Sequence, residues 1–492
     1  MRVDDAGHGG VTPIPAAAVT SWDHHADVVI AGYGVAGAAA AVEAARAGAD
    51  VLVLERSGSW GGAAAMAGGF IYLGGGTPIQ KACGFADSVD NMAAFLNAAM
   101  GPGADEHRIA DYCAGSVAHF EWLTGCGVPF KAEFFDQPGW EPMGDEGLMY
   151  SGGENSFPFN TIAEPAPRGH VPQMQNKKQG ESSAGLMLMT GLVDTATAAG
   201  ARALYDVRVQ SLIVESGGRV VGVRARRYGT SIDIRAKRGV ILAMGSFAYN
   251  DAMVARYAPR IAGRPAASVE QHDGRAIRMA QALGADLAHM DATEVALFVD
   301  PQQLVRGVLV NERGQRFVAE DTYPGRVGQL TLYHQNNTAY LILDETAQAD
   351  AMAAPSPHLM MRPPTWVCET VAELEAEIGL VPNSLQSTIA AYNHDAAEGR
   401  DRLLHKKSRW LRPLGSPVAA IDLRESTGGF TLGGLHTTLD GEVLHVSGDP
   451  IPGLFAAGRC TAGLAAWGYA SGVSLGDGSF YGRRAGRAAV HA

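Results

Sequence analysis

The stretch that most restricts this chain runs from Asp27 to Glu55, DVVIAGYGVAGAAAAVEAARAGADVLVLE. Asp27 to Ala31 reads as a buried strand, Gly32-x-Gly34-x-x-Gly37 as a turn, Ala36 to Ala47 as an alanine-rich helix, and Val51 to Leu54 as a second strand. Together they make one complete βαβ unit. The first glycine permits a tight turn, the second lets backbone approach a pyrophosphate, and the third lets helix pack on strand. The helix opening at Val35 and Ala36 offers its first N–H groups to the anion. Glu55, 23 residues after Gly32, stands where a carboxylate accepts from a ribose hydroxyl, which favours FAD or NAD over NADP.

Residues 57–76 are nearly all small or apolar, a composition that lets backbone amides lie against a large flat ring. The spacing predicts helix over 90–127 and a long irregular surface excursion over 141–185. Short strands are predicted at Tyr205–Glu215, Arg219–Val223 and Ser231–Arg235, leading into a buried strand over Arg238–Gly245. From Thr293 the texture changes, with a charged helical region at Thr370–Gly379, and it changes back around Pro413–Pro417. A strand closing on Gly458 then precedes a loop and a final helix. The expected fold is therefore α/β: a Rossmann-type domain, discontinuous over 1–292 and 416–492, with an α+β capping domain inserted at 293–415.

The net charge of −12 repels polyanions and leaves no basic footprint for nucleic acid. Five scattered cysteines without a Cys-x-x-Cys pair read as reduced thiols of a cytoplasmic protein, and no metal site is expected. Residues 1–26 lack the basic start and apolar run of a secretory signal, and no apolar run is long enough to span a membrane. His170, His334 and His436 are single histidines read as surface or interface residues, and Arg306 as a member of a structural ion pair.

From Asp27 to Ala488 the chain resembles the fumarate reductase/succinate dehydrogenase flavoprotein superfamily. The opening unit, Gly61-Gly62 with Ala67-Gly68-Gly69, the strand Val240–Gly245, HDGRAIRMAQALGAD, NERGQRFVAED and LFAAGRC occur in that superfamily's order. The resemblance implies FAD, with Glu55 and Arg56 at the adenosine ribose and Gly61, Gly62, Ala63, Ala67, Gly68 and Gly69 beside the flavin. It also assigns Val209, Ala243, Gly245 and Gly458 to the cofactor, and a helix starting at Ser474-Leu475 to the flavin's N1–C2=O edge. No histidine lies in residues 57–69, where some relatives attach the flavin, so the FAD is expected to be non-covalent.

Fumarate and succinate enzymes clamp two carboxylates with arginines. Here Tyr323 follows the NERGQRFVAED segment, and the loop between Arg459 and Arg483 holds one charged residue, Asp477, expected to cap the terminal helix or aid the flavin site. EDTYPGR and AWGYASGVSLGDGSFYGRRAG most resemble the 3-ketosteroid dehydrogenases of the Δ4-(5α) type, with the Δ1 type and a soluble fumarate-type reductase as alternatives. That resemblance implies a 3-oxosteroid substrate and an external electron acceptor. It makes Tyr469 the donor to the C3 ketone, Ser471 the group meeting the C4 proton and Tyr323 its relay partner. The cavity facing the flavin is expected to be uncharged and lined with hydroxyls.

Overall fold

The computed structural model describes residues 10–173 and 184–492. Its frame is a nine-stranded sheet. β1 (His24–Ala31) carries the apolar run Val28–Ala31, and α1 (Val35–Arg46) returns the chain to β2 (Val51–Leu54), parallel to β1. β3 (Arg202–Leu204) extends this edge, while β4 (Val207–Val214), β5 (Val220–Arg227) and β6 (Thr230–Leu242) form an antiparallel meander. β6 carries the meander onto β1 as a parallel neighbour. The two strands predicted at Ser231–Arg235 and Arg238–Gly245 are thus one strand. A register shift against β1 between Ala236 and Gly239 accounts for the apparent break.

The inserted region has sheets of its own. β7 (Thr293–Leu297) carries α2 (Pro324–His334) on its back, where Gly328 lets the helix touch strand backbone: a Cβ there would stand 2.3 Å from the Val295 carbonyl oxygen. A separate antiparallel sheet is built from Val308–Val310, Tyr340–Asp344, Val418–Asp422 and Trp366–Cys368. β8 (Thr427–Thr431) pairs with β7, so two strands beyond residue 415 pair with those of the insert. The chain then rejoins the main sheet through β9 (Pro450–Ala456), beside the end of β6, and finishes in α3 (Val473–Val490).

The surface excursion predicted over 141–185 is instead interior in its described part. Leu148–Met149 and Gly169–His170 join Ile71–Tyr72 and Phe134–Phe135 in a four-stranded sheet. Arg168, fully buried, grips Asp87 through Nε (3.0 Å) and Nη2 (2.8 Å), a two-point pairing that permits the charge inside. Residues 174–183 lie outside the described residues. Likewise 90–127 is two helices, Val89–Ala99 and Glu106–Gly125, interrupted where Gly101 and Gly103 take positive φ. Among the described residues no helix is long and apolar enough to cross a membrane.

Helix α1 is buried from Val35 to Ala45 because it lies between the sheet and α3. Its alanines leave room for backbone contact from α3. A Cβ at Gly482 would stand 2.5 Å from the Ala36 carbonyl oxygen, and one at Gly486 2.4 Å from that of Ala40. Gly486→Ala should therefore destabilise the protein by about 1–3 kcal/mol, the usual range for overpacking. Gly217→Ala, whose Cβ would meet nothing within 4 Å, is expected to stay within about 0.5 kcal/mol. Thermal unfolding of both variants checks this, and equal midpoints would refute the packing argument.

Candidate active site

A cavity of about 460 Å³ opens where β1, β2 and β6 end, at Ala31, Leu54 and Ala243. The carboxyl ends of parallel strands are where open α/β sheets bind ligands. Gly32, with φ +102°, turns the chain away from Ala243, whose carbonyl oxygen a Cβ would approach to 2.3 Å. Gly34 lies on the wall with space before it: its Cβ would meet only the Gly61 carbonyl oxygen, at 3.9 Å. Val35 and Ala36 complete this wall, and their amides are among those a helix leaves without an internal partner.

Glu55 is buried, its Oε2 accepting from the Tyr33 amide and its Oε1 from the Ser57 amide, both at 2.8 Å. Each oxygen keeps a second lone pair for a ribose hydroxyl. Arg56 and Arg208 both pair with Asp273 at 3.1 Å, and Arg275 lines the same end, so the three guanidiniums outnumber the carboxylates of Asp273 and Glu55 there. Val209 reaches the cavity by strand alternation with Val207. Gly62, Ala63, Ala67, Gly68 and Gly69 line the next stretch, opposite Gly245 and Gly458. Gly245 must lack a side chain, since a Cβ would stand 2.1 Å from His272 Nε2. Burial lowers the His272 imidazole to about 4, so this wall is neutral there.

Two cofactor candidates stand behind the wall. A Cβ at Gly37 would press to 2.0 Å on the Gly32 carbonyl oxygen, which makes it a packing glycine. Gly61, with φ +113°, ties its loop to the fingerprint turn by donating to the Tyr33 carbonyl at 2.9 Å.

At the far end the cavity wall carries Tyr323, Tyr469 and Ser471 together. Tyr323 is the residue before α2, held extended by the following Pro324. Its hydroxyl donates to Glu294 Oε1 at 3.1 Å. Burial pushes the phenol well above its usual value; Glu294 and Tyr469 push the same way and the Ser471 side chain opposes them. Ser471 is fixed by its backbone, donating to the Ser151 carbonyl at 3.1 Å and accepting from Ser151 Oγ at 2.9 Å. Tyr469 donates to Ser474 Oγ at 2.9 Å and accepts from the Ser474 amide at 3.1 Å. Burial raises its proton affinity and these two Ser474 contacts lower it. Ser474 and Leu475 are in the first turn of α3, whose N-terminus faces the cavity.

The expectation of an uncharged cavity fails at two residues. Arg459 lies on the wall, with its guanidinium donating to Asp477 and to the Leu432 carbonyl at 3.3 Å each. Glu294 also faces inward, because β7 alternates and turns Glu294, Ala296 and Phe298 to the cavity. A lone acid in the apolar strand TEVAL was the available signal for it. Its carboxyl is raised by burial to about 7, against the Tyr323 hydrogen bond.

Asp477 is no cap; it lies within α3 and pins the preceding loop through the Leu464 amide at 3.2 Å. Arg306, read as half of an ion pair, instead donates to the Gln302 carbonyl at 3.1 Å and lies over the Trp410 ring. His170 is buried, bonding Thr77 Oγ1 at 2.8 Å. His436 pairs with Asp286 at 2.8 Å, and His334 ends α2. Among the described residues no cluster suits a metal ion.

A split βαβ sheet with one long cavity at its strand ends, two helix N-termini on its wall and a carboxylate at the ribose position defines a flavin-nucleotide protein. The FAD binding domain model matches residues 27–475, and the chain belongs to that family. It is 64% identical to the crystal structure of a 3-ketosteroid-Δ4-(5α)-dehydrogenase from Rhodococcus jostii RHA1 in complex with 4-androstene-3,17-dione. That match has a TM-score of 0.96 and covers 98% of this chain and all of that one. It is 27% identical to the 3-oxo-5-alpha-steroid 4-dehydrogenase of Comamonas testosteroni over 92% of this chain and 95% of the relative. A 3-ketosteroid Δ1-dehydrogenase from Sterolibacterium denitrificans, 21% identical with a TM-score of 0.75, covers 95% of this chain and all of its own, and shares the fold.

The walls fit FAD: the space before Gly34, the free lone pairs of Glu55 and the small-residue stretch are a cradle that side chains would fill. Gly34→Leu should therefore abolish flavin binding while the far-ultraviolet dichroism of the chain is retained. The ratio of flavin absorbance to protein measures this, and full occupancy in the variant would refute the cradle.

Proposed function

We propose that the chain is an FAD-dependent 3-oxosteroid dehydrogenase that introduces the C4–C5 double bond into 5α-3-oxosteroids. One observation carries the reading: two phenols and a serine meet at one end of the cavity, where Arg459, the arginine among the described residues lining that end, is committed to Asp477. Among the described residues a diacid would find no uncommitted arginine at that end. The other walls, including Trp140, Phe298, Met360 and Phe430, are aromatic or apolar and suit a fused-ring ketone.

When bound, FAD supplies the acceptor for the hydride that leaves C5. The protein's part is the proton and the developing charge. Tyr469 donates to the C3 oxygen as the neighbouring C4–H bond breaks. Its hydroxyl is freed for this if Ser474 becomes the donor of their mutual hydrogen bond. The Ser474 amide, donating to the phenol oxygen, makes the phenol a stronger donor. Ser471 meets the C4 proton, but a serine hydroxyl is too weak a base to keep it. Tyr323, interacting with Ser471, passes it on. The first turn of α3 turns a positive helix end to the cavity and would favour negative charge on a reduced flavin held there by about 0.3–1 kcal/mol.

The strand pairing of 418–431 supports an inserted cap that closes near Thr431 instead of residue 415. No histidine within 57–69 is available for attachment, so the FAD is held without a covalent bond. Five unpaired cysteines suit a reducing cytoplasm, and reoxidation falls to an external acceptor.

Anaerobic mixing with 5α-androstane-3,17-dione should bleach the flavin, and succinate should not. Tyr469→Phe should slow bleaching by about 10²–10³-fold, as loss of one such donor does. Ser471→Ala and Tyr323→Phe should each cost about 10²–10⁴-fold, the span of general acid–base catalysis. Bleaching by succinate, or unchanged rates in all three variants, would overturn the assignment.

A further inference from the structure

Resting on that reading, we propose that Glu294 is the terminal acceptor of the C4 proton, reached through Ser471 and Tyr323. The placement is geometric. Strand alternation on β7 turns Glu294 inward, and the Tyr323 hydroxyl already points its proton at Oε1, 3.1 Å away. Ser471 shares the cavity wall with Tyr323, so the phenol stands between the serine's side of the cavity and the carboxylate it is bonded to. A carboxylate in an apolar strand is costly to keep unless it is hydrogen-bonded or put to use.

The balance is explicit. The C4–H bond breaks and its electron pair stays on the substrate as the enolate that Tyr469 stabilises. Ser471 Oγ takes the C4 proton and gives its own to the Tyr323 oxygen, which gives its proton to Glu294 Oε1. Serine and tyrosine are restored, and one carboxylate has become a carboxylic acid. Bound FAD would supply the acceptor for the hydride that leaves C5, so no further oxidant is needed.

Burial holds the Glu294 carboxyl up to about 7. The acceptor is thus ionised above neutrality, yet basic enough to retain a proton. The ionisable groups on the surrounding elements are Tyr323 before α2, Arg326, Tyr333 and His334 on α2, and Arg459 and Tyr469 near α3; β8 has none. Besides burial, only Tyr323 moves the carboxyl. Because the base must be ionised to accept, flavin reduction should rise with pH through about 7.

The test compares holoenzyme and its Glu294→Gln and Glu294→Asp variants. Wild type should bleach with 5α-androstane-3,17-dione at a rate that climbs across neutrality. Glu294→Gln should lose about 10²-fold or more and become flat with pH, and Glu294→Asp should recover part of both. A second readout separates proton movement from turnover: with the flavin reduced beforehand by dithionite, the wild type should exchange C4 hydrogen of the same steroid with deuterated water. Glu294→Gln should exchange it at least tenfold more slowly. A wild-type rate indifferent to pH, or a glutamine variant with wild-type exchange, would overturn the relay. Absence of bleaching in the wild type would instead overturn the substrate assignment. Beyond Ser471 and Tyr323 lies a second cavity of about 90 Å³ that reaches Asp321, paired with Lys407 at 3.3 Å. If Asp321→Asn flattens the pH profile and Glu294→Gln does not, the proton leaves that way and the proposal falls.

Discussion

The contact between α1 and α3 sets the geometry on which the rest depends. Glycines 482 and 486 bring α3 onto the carbonyl oxygens of α1, and α1 is itself pressed on the sheet by Gly37 against Gly32. No side chain intervenes at these points, so the two helices cannot slide without a backbone clash. Their N-termini consequently face one cavity from fixed positions, at Val35 and at Ser474. One end suits a pyrophosphate and the other an electron-rich ring, because each presents a positive dipole end. Helix packing here does the work that charged side chains do in other nucleotide sites.

The inserted region contributes what the frame lacks. The frame supplies Tyr469 and Ser471 from the loop before α3, but Tyr323 and Glu294 come from β7 and the start of α2. The reactive groups therefore meet only when cap and frame are in register. Trp140 helps fix this, donating to the Val299 carbonyl at 3.2 Å just beyond β7. Buried ionic clusters such as Arg316 with Glu320 and Asp401 lie within the cap, 2.7 and 2.8 Å apart, and keep the segment leading to Tyr323 in place.

The frame was legible because its signals are local. Strand, glycine turn, helix, strand and terminal acid fall within 29 consecutive residues; Gly32 and Gly37 have a steric reason the structure displays, and Gly34 leaves space on the cavity wall. The three hydroxyl residues were reachable through resemblance to a steroid dehydrogenase, not through spacing. What escaped has a common cause: interior burial that single-chain patterns do not encode. Residues 141–170 read as surface because they are glycine-rich and charged, yet Arg168 is made tolerable inside by Asp87, 81 positions earlier. Glu294 escaped for the same reason, since its significance lies in Tyr323, 29 residues on. Gly61 shows the reverse case, a motif glycine that ties its own loop to the fingerprint turn from behind the cavity wall, while Gly37 packs helix on strand as its motif position implies.

A phenol and carboxylate pair suits a neutral, greasy substrate better than histidine or arginine would. A cationic acid in this cavity would attract anions and need its own counterion in a poorly solvated space. A buried carboxylate alone would repel the enolate that forms beside it. Placing Ser471 and Tyr323 between them keeps the carboxylate away from the reacting carbon, while the phenol's high proton affinity prevents it from ionising permanently. The two carriers nearest the substrate, Ser471 and Tyr323, are neutral at rest, and charge moves only as a proton moves. The same arrangement explains why Arg459 must be tied to Asp477: a free guanidinium on that wall would hold the cavity in an anion-binding state.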